Sequence, residues 1–389
     1  MTHIRQTFGH PAYARTVGAL LVVYGLGCGT SMSLISTAAF LLGILTLVES
    51  ILSLRMPTGQ LRERLLRLGL ALGLAHTLYL TIFTLATGSF DELRAIAGYL
   101  FAGLLFLYPL SSLRPKFSGG LWRTIVIATF AGSAVAVGLA VWQRFGLGEV
   151  RVFGKMRNPV IFAYSLLPAL VYFGITRRGM PSRILALGLY LAILLTGSRT
   201  AAVVGLLVLT VGYLPMLLHP GRRTISVGLL FGTLLIGVWQ IQGNEGLRDR
   251  TTRLFRAGED RSFSGRVQIW RLNQQYIREN PIFGLGPRRN ALDIDMHPEL
   301  TGVLSPGSRG IFAHNIFLQT LAESGIVGFV LFFGFQLVAF CALPVLRPYF
   351  LVTWIAGLTD TPFTVPRMYY PLYFFLILAV FTAEREESA

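Results

Sequence analysis

The sequence predicts an all-α protein that crosses a membrane many times, with about twelve transmembrane helices and one large loop on the outer side. Only 13% of the 389 residues are charged and 53% are hydrophobic, whereas soluble domains carry roughly 25% charged residues. Long runs lack any charge, such as the 20 residues between Arg123 and Arg144 and the 23 between Glu323 and Arg347. About 20 apolar residues cross a bilayer core as a helix, which satisfies its own backbone polar groups. Residues 1–389 are therefore predicted to form one transmembrane domain.

The positive charge of the chain comes almost entirely from arginine. The net charge is +16, and 32 of the 34 basic residues are arginine, whose planar fork of donors suits phosphate and carboxylate groups. A membrane protein that faces anionic lipids accounts for this basicity, so membrane lipids and no nucleic acid are the expected contacts. Cys28 and Cys341 lie in apolar stretches and suggest neither a disulfide framework nor a zinc site. No cleaved signal peptide is expected.

Basic residues predict how the spans are oriented. Short loops rich in arginine stay in the cytoplasm, which places the N-terminus and residues 55–67 inside. Alternation along the chain then puts residues 144–158, the turn at 197–200 and a long segment at 242–313 outside, and the C-terminus inside. This gives twelve spans. Residues 348–359 form the weakest span, with only 12 uncharged residues, so ten spans with the same orientation are the alternative.

The outer segment at 242–313 is a large loop with an unusual charge content. It carries eleven arginine and eight acidic residues. The rule that keeps positive charge inside does not govern loops of this length, so the arginines need another explanation. Two interpretations stay open at this point: binding of phosphorylated lipid headgroups, and coordination of a phosphorylated substrate.

Arg199 lies in a tight turn between two apolar spans, LTGSRT at residues 195–200. Its neighbours Ser198 and Thr200 are small, so its guanidinium can approach a ligand closely. An arginine at the end of a membrane helix can also simply extend toward the interface. The turn marks Arg199 as a candidate phosphate ligand, with a snorkelling side chain as the alternative.

Arg266 lies in an amphipathic stretch of the outer loop that runs from Ser264 to Asn280. Apolar residues recur there near helical spacing, as expected of a helix that lies on a membrane surface, and Ser264 can cap its start. A cation in a first helical turn opposes the helix dipole, whereas an anion bound there is favoured. Arg266 is thus a second candidate anion ligand, with a solvated surface arginine as the alternative.

His314 marks the point where the outer loop is expected to end and a helix to enter the membrane. A neutral imidazole there can act as a base toward a hydroxyl near pH 7, while an interfacial histidine that only hydrogen-bonds the backbone is the alternative. Glu323 follows nine residues later, about 13–14 Å along a helix, and is expected to pair elsewhere in the bundle. Asp360, at another outer helix end, is a candidate partner for Arg199 or another basic residue.

Taken together, the three motifs resemble the O-antigen ligase and polymerase superfamily. The resemblance covers roughly residues 150–380 and rests on Leu195–Thr200, Ser264–Trp270 (SGRVQIW) with Asn280–Gly286 (NPIFGLG), and His314–Gly328 (HNIFLQTLAESGIVG). It implies a membrane glycosyltransferase of the GT-C class with twelve spans. It further implies that helices of the large periplasmic loop lie over an active-site cavity, and that the protein resides in a bacterial inner membrane.

The resemblance also implies a reaction. Ligases of this kind transfer O-antigen from undecaprenyl pyrophosphate to lipid A-core at the periplasmic face, with inversion at the anomeric carbon and with no metal or other cofactor. The essential arginines of the superfamily correspond to Arg199 and Arg266, which are expected to bind the pyrophosphate, and its essential histidine corresponds to His314, which is expected to be catalytic. Asp293 and Asp295 have the spacing of a metal-binding pair, but no metal site is expected there.

Other activities fit parts of this pattern. An O-antigen polymerase, or a ligase that glycosylates a protein hydroxyl, shares the chemistry and differs only in its acceptor. A transporter would place polar groups at mid-membrane, where the sequence offers few, His76 and Glu49 among them. A purely structural scaffold leaves the basic outer loop and His314 unexplained. A ligase is therefore the favoured prediction.

Overall fold

The described part of the chain consists of α-helices and short helical turns. A computed structural model describes residues 10–54, 61–87, 108–110, 115–156, 158–177, 179–218, 261–287, 289, 312–360 and 366–387, with scattered helical positions between 224 and 242. The helices are α1 (Pro11–Thr30), α2 (Met32–Leu54), α3 (Leu61–Thr87), α4 (Gly119–Val141), α5 (Pro159–Val171), α6 (Met180–Leu195), α7 (Arg199–Leu217), α8 (Arg261–Glu279), α9 (Ile316–Ala342), α10 (Arg347–Gly357) and α11 (Pro366–Glu387). Helices α4 and α5 each continue into a π-helical turn, at Trp142–Gly146 and Tyr172–Thr176.

Several of these helices are suited to cross a membrane. By length and composition, six helices of the described residues are long and apolar enough: α2, α3, α4, α5, α7 and α9 with their π-helical continuations. The prediction of an all-α polytopic membrane protein is therefore confirmed. The number of twelve spans and their orientation stay predictions, and most of the predicted outer loop lies outside the described residues.

Helix α5 forms the centre of the bundle. In its apolar 18-residue stretch, 72% of the residues are buried inside the protein, against 28% in the corresponding stretch of α3. Helix α5 is therefore covered by protein on most sides. It packs against α6, α7 and α11, and the Tyr172 hydroxyl is 3.1 Å from the Thr382 hydroxyl on α11. Asn158 begins the helix because its side chain accepts hydrogen bonds from the amides of Val160 and Ile161. Helix α5 is thereby capped at its first turn and bonded to α11 near its other end.

Helix α9 reverses direction at Gly325. This residue has φ 59° and ψ −166°, a conformation that is essentially confined to glycine. The rings of Phe317 and Phe333 stack with centroids 5.0 Å apart, whereas sixteen residues of straight helix would separate them by about 24 Å. Helix α9 therefore has a first arm, residues 316–324, folded against a second arm, residues 326–342. The entry of the chain into the membrane after His314 stays a prediction, and the structure adds that the second arm packs along α3 after the reversal.

A short segment of the predicted outer loop, residues 281–286, stabilises this reversal, and we call it the clip. The kink frees amides and carbonyls of α9 from their helical partners, and the clip bonds to both kinds of group. Two amides of α9 donate hydrogen bonds to carbonyls of the clip, Ile326 to Pro281 and Val327 to Ile282. Two amides of the clip donate to carbonyls of α9, Leu285 to Ala322 and Gly286 to Glu323, and all four distances are 2.9–3.2 Å. Irregular backbone in a membrane protein is tolerated where other protein groups satisfy it. The Tyr79 hydroxyl of α3 adds contacts to the carbonyls of Phe283 and Ser324.

Candidate functional site

His314 is paired with a carboxylate from a distant part of the chain. Its Nδ1 lies 3.4 Å from Oδ1 of Asp360, which follows α10. This distance is long for a hydrogen bond. The Asp360 side chain is 6% exposed and that of His314 is 38% exposed. The carboxylate is thus shielded from water while the imidazole stays accessible.

The backbone at His314 is held in an uncommon conformation. Its φ is 48°, and no other non-glycine residue of the described ranges has a positive φ. Asn315 follows as the cap of α9, accepting hydrogen bonds from the amides of Phe317 and Leu318, and its Nδ2 donates to the carbonyl of Leu358 at 3.1 Å. The bond between Asn315 and Leu358 therefore fixes the two chain segments to each other next to the His314–Asp360 pair.

Arg199 begins helix α7 directly after the predicted tight turn. Gly197 permits the turn with φ 66°, and the Thr196 hydroxyl accepts a hydrogen bond from the amide of Ser198. The turn is next to the histidine pair, because the hydroxyls of Thr200 and Thr359 are 2.9 Å apart. Arg199 and Asp360 are thus the immediate chain neighbours of two residues in contact.

Arg266 lies on α8, the helix that the amphipathic pattern predicts. This helix begins at Arg261, so the prediction that Ser264 caps it and that Arg266 occupies its first turn is wrong. The apolar pattern starts only at Val267, and nothing in it reveals that the helix extends upstream through polar residues. The Trp270 indole of α8 donates a hydrogen bond to the carbonyl of Ala313 at 2.8 Å, which ties this helix to the residue before His314.

A buried tyrosine lies between the turn before α7 and the chain after α10. The Tyr164 hydroxyl of α5 is adjacent to the hydroxyls of Thr200 and Thr359, and it lies within electrostatic range of both Asp360 and Arg266. We call Tyr164, Thr200, His314, Thr359 and Asp360 the outer cluster. Arg199 precedes Thr200 in the chain and Arg266 is near Tyr164, so the three residues singled out in the sequence belong to chain segments around this cluster. Their roles in binding and catalysis stay predictions.

Family comparison gives this arrangement a context. Residues 184–333 match the family described as O-antigen ligase, Wzy_C. The chain carries an O-antigen ligase family domain. Enzymes of this family transfer lipid-linked glycans. The matched range contains Arg199, Arg266 and His314, while Tyr164 and Asp360 lie outside it. A search of curated proteins finds no match to this chain.

Two residues next to the O-antigen ligase family domain were not identified by sequence reasoning in the way the structure places them. Asp360 was expected to pair with Arg199 or another basic residue, and in the structure its carboxylate lies against the imidazole of His314. Tyr164 lies in an apolar run whose pattern gives no sign of a site. Glu323, by contrast, pairs within the bundle as predicted, since its Oε1 accepts a hydrogen bond from Nε2 of Gln319 at 2.6 Å.

The described part of the O-antigen ligase family domain offers no set of three histidine, cysteine or acidic side chains that could hold a metal ion. Asp293 and Asp295 lie outside the described residues, so metal independence stays a prediction. A small apolar pocket is lined by Tyr164 and other residues of α5, α10 and α11. Apolar space thus adjoins the polar outer cluster.

Proposed function

We propose that this protein is an O-antigen ligase that transfers polysaccharide from undecaprenyl pyrophosphate to lipid A-core oligosaccharide, at the periplasmic face of a bacterial inner membrane. The observation that carries the proposal is the accessible imidazole of His314 beside the shielded carboxylate of Asp360, in a cluster whose surrounding chain segments carry Arg199 and Arg266. The O-antigen ligase family domain over residues 184–333 supports the class of reaction.

The His314–Asp360 pair supports a role as a base. When Nδ1–H of His314 donates to Asp360, the lone pair of Nε2 is left to accept a proton from an acceptor hydroxyl. The hydroxyl oxygen then forms a bond to the anomeric carbon of the glycan, and the proton stays on the imidazole. Asp360 fixes the tautomer and stabilises the imidazolium that forms.

The two arginines support the departure of the leaving group. As the new bond forms, the bond between the anomeric carbon and the pyrophosphate oxygen breaks, and its electron pair goes to the pyrophosphate. The guanidinium groups of Arg199 and Arg266 can accept this charge through paired hydrogen bonds. A single displacement of this kind inverts the anomeric carbon, and the two cations serve where other enzymes use a metal ion.

The surroundings of the outer cluster suit substrates with lipid anchors. Helix α8 is amphipathic, with an exposed Arg271 and a buried Ile269, as in helices that lie along a membrane surface. The small pocket that Tyr164 lines is apolar, so the surroundings of the outer cluster combine apolar and charged groups. A donor with a charged head and an apolar tail is matched by this arrangement.

The deciding experiment is transfer by the purified protein from carrier-linked glycan to lipid A-core. We expect wild-type protein to form the product, and His314→Ala to lose at least about 100-fold in rate, as the loss of a positioned base implies. Near wild-type transfer by His314→Ala would exclude the proposed base. Activity should persist in a chelator, and loss that Mg²⁺ or Mn²⁺ restores would refute metal independence.

The acceptor is tested separately from the chemistry. A polymerase or a protein-glycosylating ligase would use the same cluster with another hydroxyl. A deletion strain that accumulates free, carrier-linked polymer supports the ligase. A strain with single repeats on capped core points to a polymerase, and one with normal lipopolysaccharide but an unmodified glycoprotein points to a protein ligase.

A further inference from the structure

We infer that Gln319 is a positioning residue, which holds the peptide unit before His314 so that the imidazole faces the outer cluster. The inference rests on the proposed function, since it gives His314 the role of base. Gln319 lies one turn into the first arm of α9, and its side chain is completely buried. A buried polar side chain in such a place needs partners on both its amide oxygen and its amide nitrogen.

Both ends of the Gln319 amide bind specific groups. Its Oε1 accepts a hydrogen bond from the backbone amide of Ala313 at 2.8 Å, and its Nε2 donates to Oε1 of Glu323 at 2.6 Å. Because a carboxylate only accepts, Glu323 determines which end of the Gln319 amide faces it. The other end, the oxygen, is thereby directed to the Ala313 amide.

Ala313 is held on its other side as well. Its carbonyl accepts a hydrogen bond from the Trp270 indole at 2.8 Å, so side chains from α8 and α9 bind both polar groups of this one residue. The next residue is His314, with its left-handed φ of 48°. A backbone conformation of this kind persists where the surroundings determine it. The contacts of Gln319 and Trp270 fix the residue directly before His314 and so help to determine this conformation.

The direction of the amide makes the inference testable by exchange of the two side chains. In Gln319→Glu, two carboxylates would face each other, and a carboxylate at position 319 would turn away from Glu323 and from the Ala313 amide. Adding Glu323→Gln restores one donor and one acceptor between the two positions, with an oxygen left for Ala313. The double variant has the same composition and net charge as the wild type.

The experiment is a double-mutant cycle measured as kcat and KM on equal amounts of folded protein. We expect Gln319→Glu to lower kcat at least 30-fold in the wild-type background and less than threefold in the Glu323→Gln background, with KM for the carrier-linked donor unchanged in both. Trp270→Phe, which removes the second contact to Ala313, should also lower kcat and leave KM unchanged.

The chain offers a matched control. Gln275 donates to Glu279 at 2.9 Å on the exposed side of α8, which is the same pair at the same spacing. Gln275→Glu should change kcat less than twofold. Equal losses for Gln319→Glu in the two backgrounds, or a loss confined to the amount of folded protein, would overturn the inference.

Hydrogen exchange separates this inference from the proposed function. The peptide that contains Ala313 should exchange faster in Gln319→Glu than in wild type, and return to the wild-type rate in the double variant. If His314→Ala keeps its transfer activity while the exchange rates behave as expected, the proposed base is wrong and the positioning contact stands. If His314→Ala is inactive and the exchange rate at Ala313 does not change, the positioning contact is wrong.

Discussion

His314 combines an accessible side chain with a constrained backbone. A left-handed conformation at a residue with a β-carbon costs of order 1–3 kcal/mol, and the structure opposes this cost with bonds on both sides: the contacts of Ala313 before it and the cap of Asn315 after it. The orientation of the imidazole is restrained by Asp360, whose carboxylate lies against Nδ1. Constraint of this kind is expected where a proton must be taken in one direction.

Asp360 is expected to determine which nitrogen of His314 carries the proton. In Asp360→Asn the amide can donate to Nδ1, which would favour the tautomer with its proton on Nε2 and remove the base. We expect kcat to fall at least roughly 30-fold, a part of what a positioned base contributes. Glu279→Gln, a change of the same type at an exposed site, should leave kcat within about twofold. An active Asp360→Asn would mean that the pair does not set the tautomer.

Arg266 is expected to stabilise the charge that develops on the pyrophosphate. Arg266→Ala should lower kcat by roughly 100-fold or more, as loss of a group that stabilises developing charge does. Arg266→Lys should recover little, because lysine lacks the planar fork. Arg271 lies exposed on the same helix, and Arg271→Ala should stay within about twofold of wild type. If both alanine variants lose activity equally, the arginines serve the general charge of the helix and not one ligand.

The sequence was sufficient to single out Arg199, Arg266 and His314, since each lies in a motif that resembles a known family. It was not sufficient to identify Asp360 as the partner of His314. The two are 46 residues apart, and the contact depends on the short α10 ending where the first arm of α9 begins. Tyr164 carries a polar hydroxyl within an apolar helix, and only the packing of α5, α7 and α10 brings that hydroxyl to the cluster.

At the scale of elements, the two arms of α9 and the clip form one folded unit. The hydropathy of the 23 uncharged residues between Glu323 and Arg347 indicates a single straight span, and length alone supports it. The reversal was not predictable from this run, because its hydrogen-bond partners come from residues 281–286, some forty positions earlier. Gly284, with φ 75°, lets the clip approach the backbone of α9 at Glu323.

Substitution of Gly325 tests this unit. A β-carbon there would overlap the carbonyl group of Ile282, and the φ of 59° adds strain of about 1–3 kcal/mol. We expect Gly325→Ala to lower the midpoint of thermal unfolding and to abolish transfer, measured on purified protein. Gly334→Ala in the second arm is the control, since its β-carbon would make an ordinary contact of 3.6 Å with Leu72. Equal behaviour of the two variants would contradict a required reversal.

At the scale of the whole molecule, the outer cluster gathers residues from α5, α7, α9 and the chain after α10, with Arg266 of α8 near it. The membrane class follows from composition, because few charges and long apolar runs permit little else. The number of spans does not follow, since the run at 348–359 is short and α10 has only 11 residues. Neighbouring helices, which composition does not describe, decide how such a segment is accommodated.

Orientation in the membrane is tested by labelling with a membrane-impermeant maleimide. The natural cysteines, Cys28 and Cys341, are first changed to alanine. We expect Arg271→Cys to react in intact spheroplasts, because α8 belongs to the predicted outer loop. Glu386→Cys, at the exposed end of α11, should react only after permeabilisation. Labelling of both from the same side would contradict the predicted topology.

The two ends of the chain between residues 287 and 312 are anchored independently of what lies between them. The amide of Gly286 donates a hydrogen bond to the carbonyl of Glu323, and Ala313 bonds to the side chains of Gln319 and Trp270. Both ends of the stretch are therefore hydrogen-bonded to the first arm of α9. The entropy of closing such a loop changes slowly with its length. A change in the length of this stretch is therefore expected to leave the contacts of Gly286 and Ala313 with α9 in place.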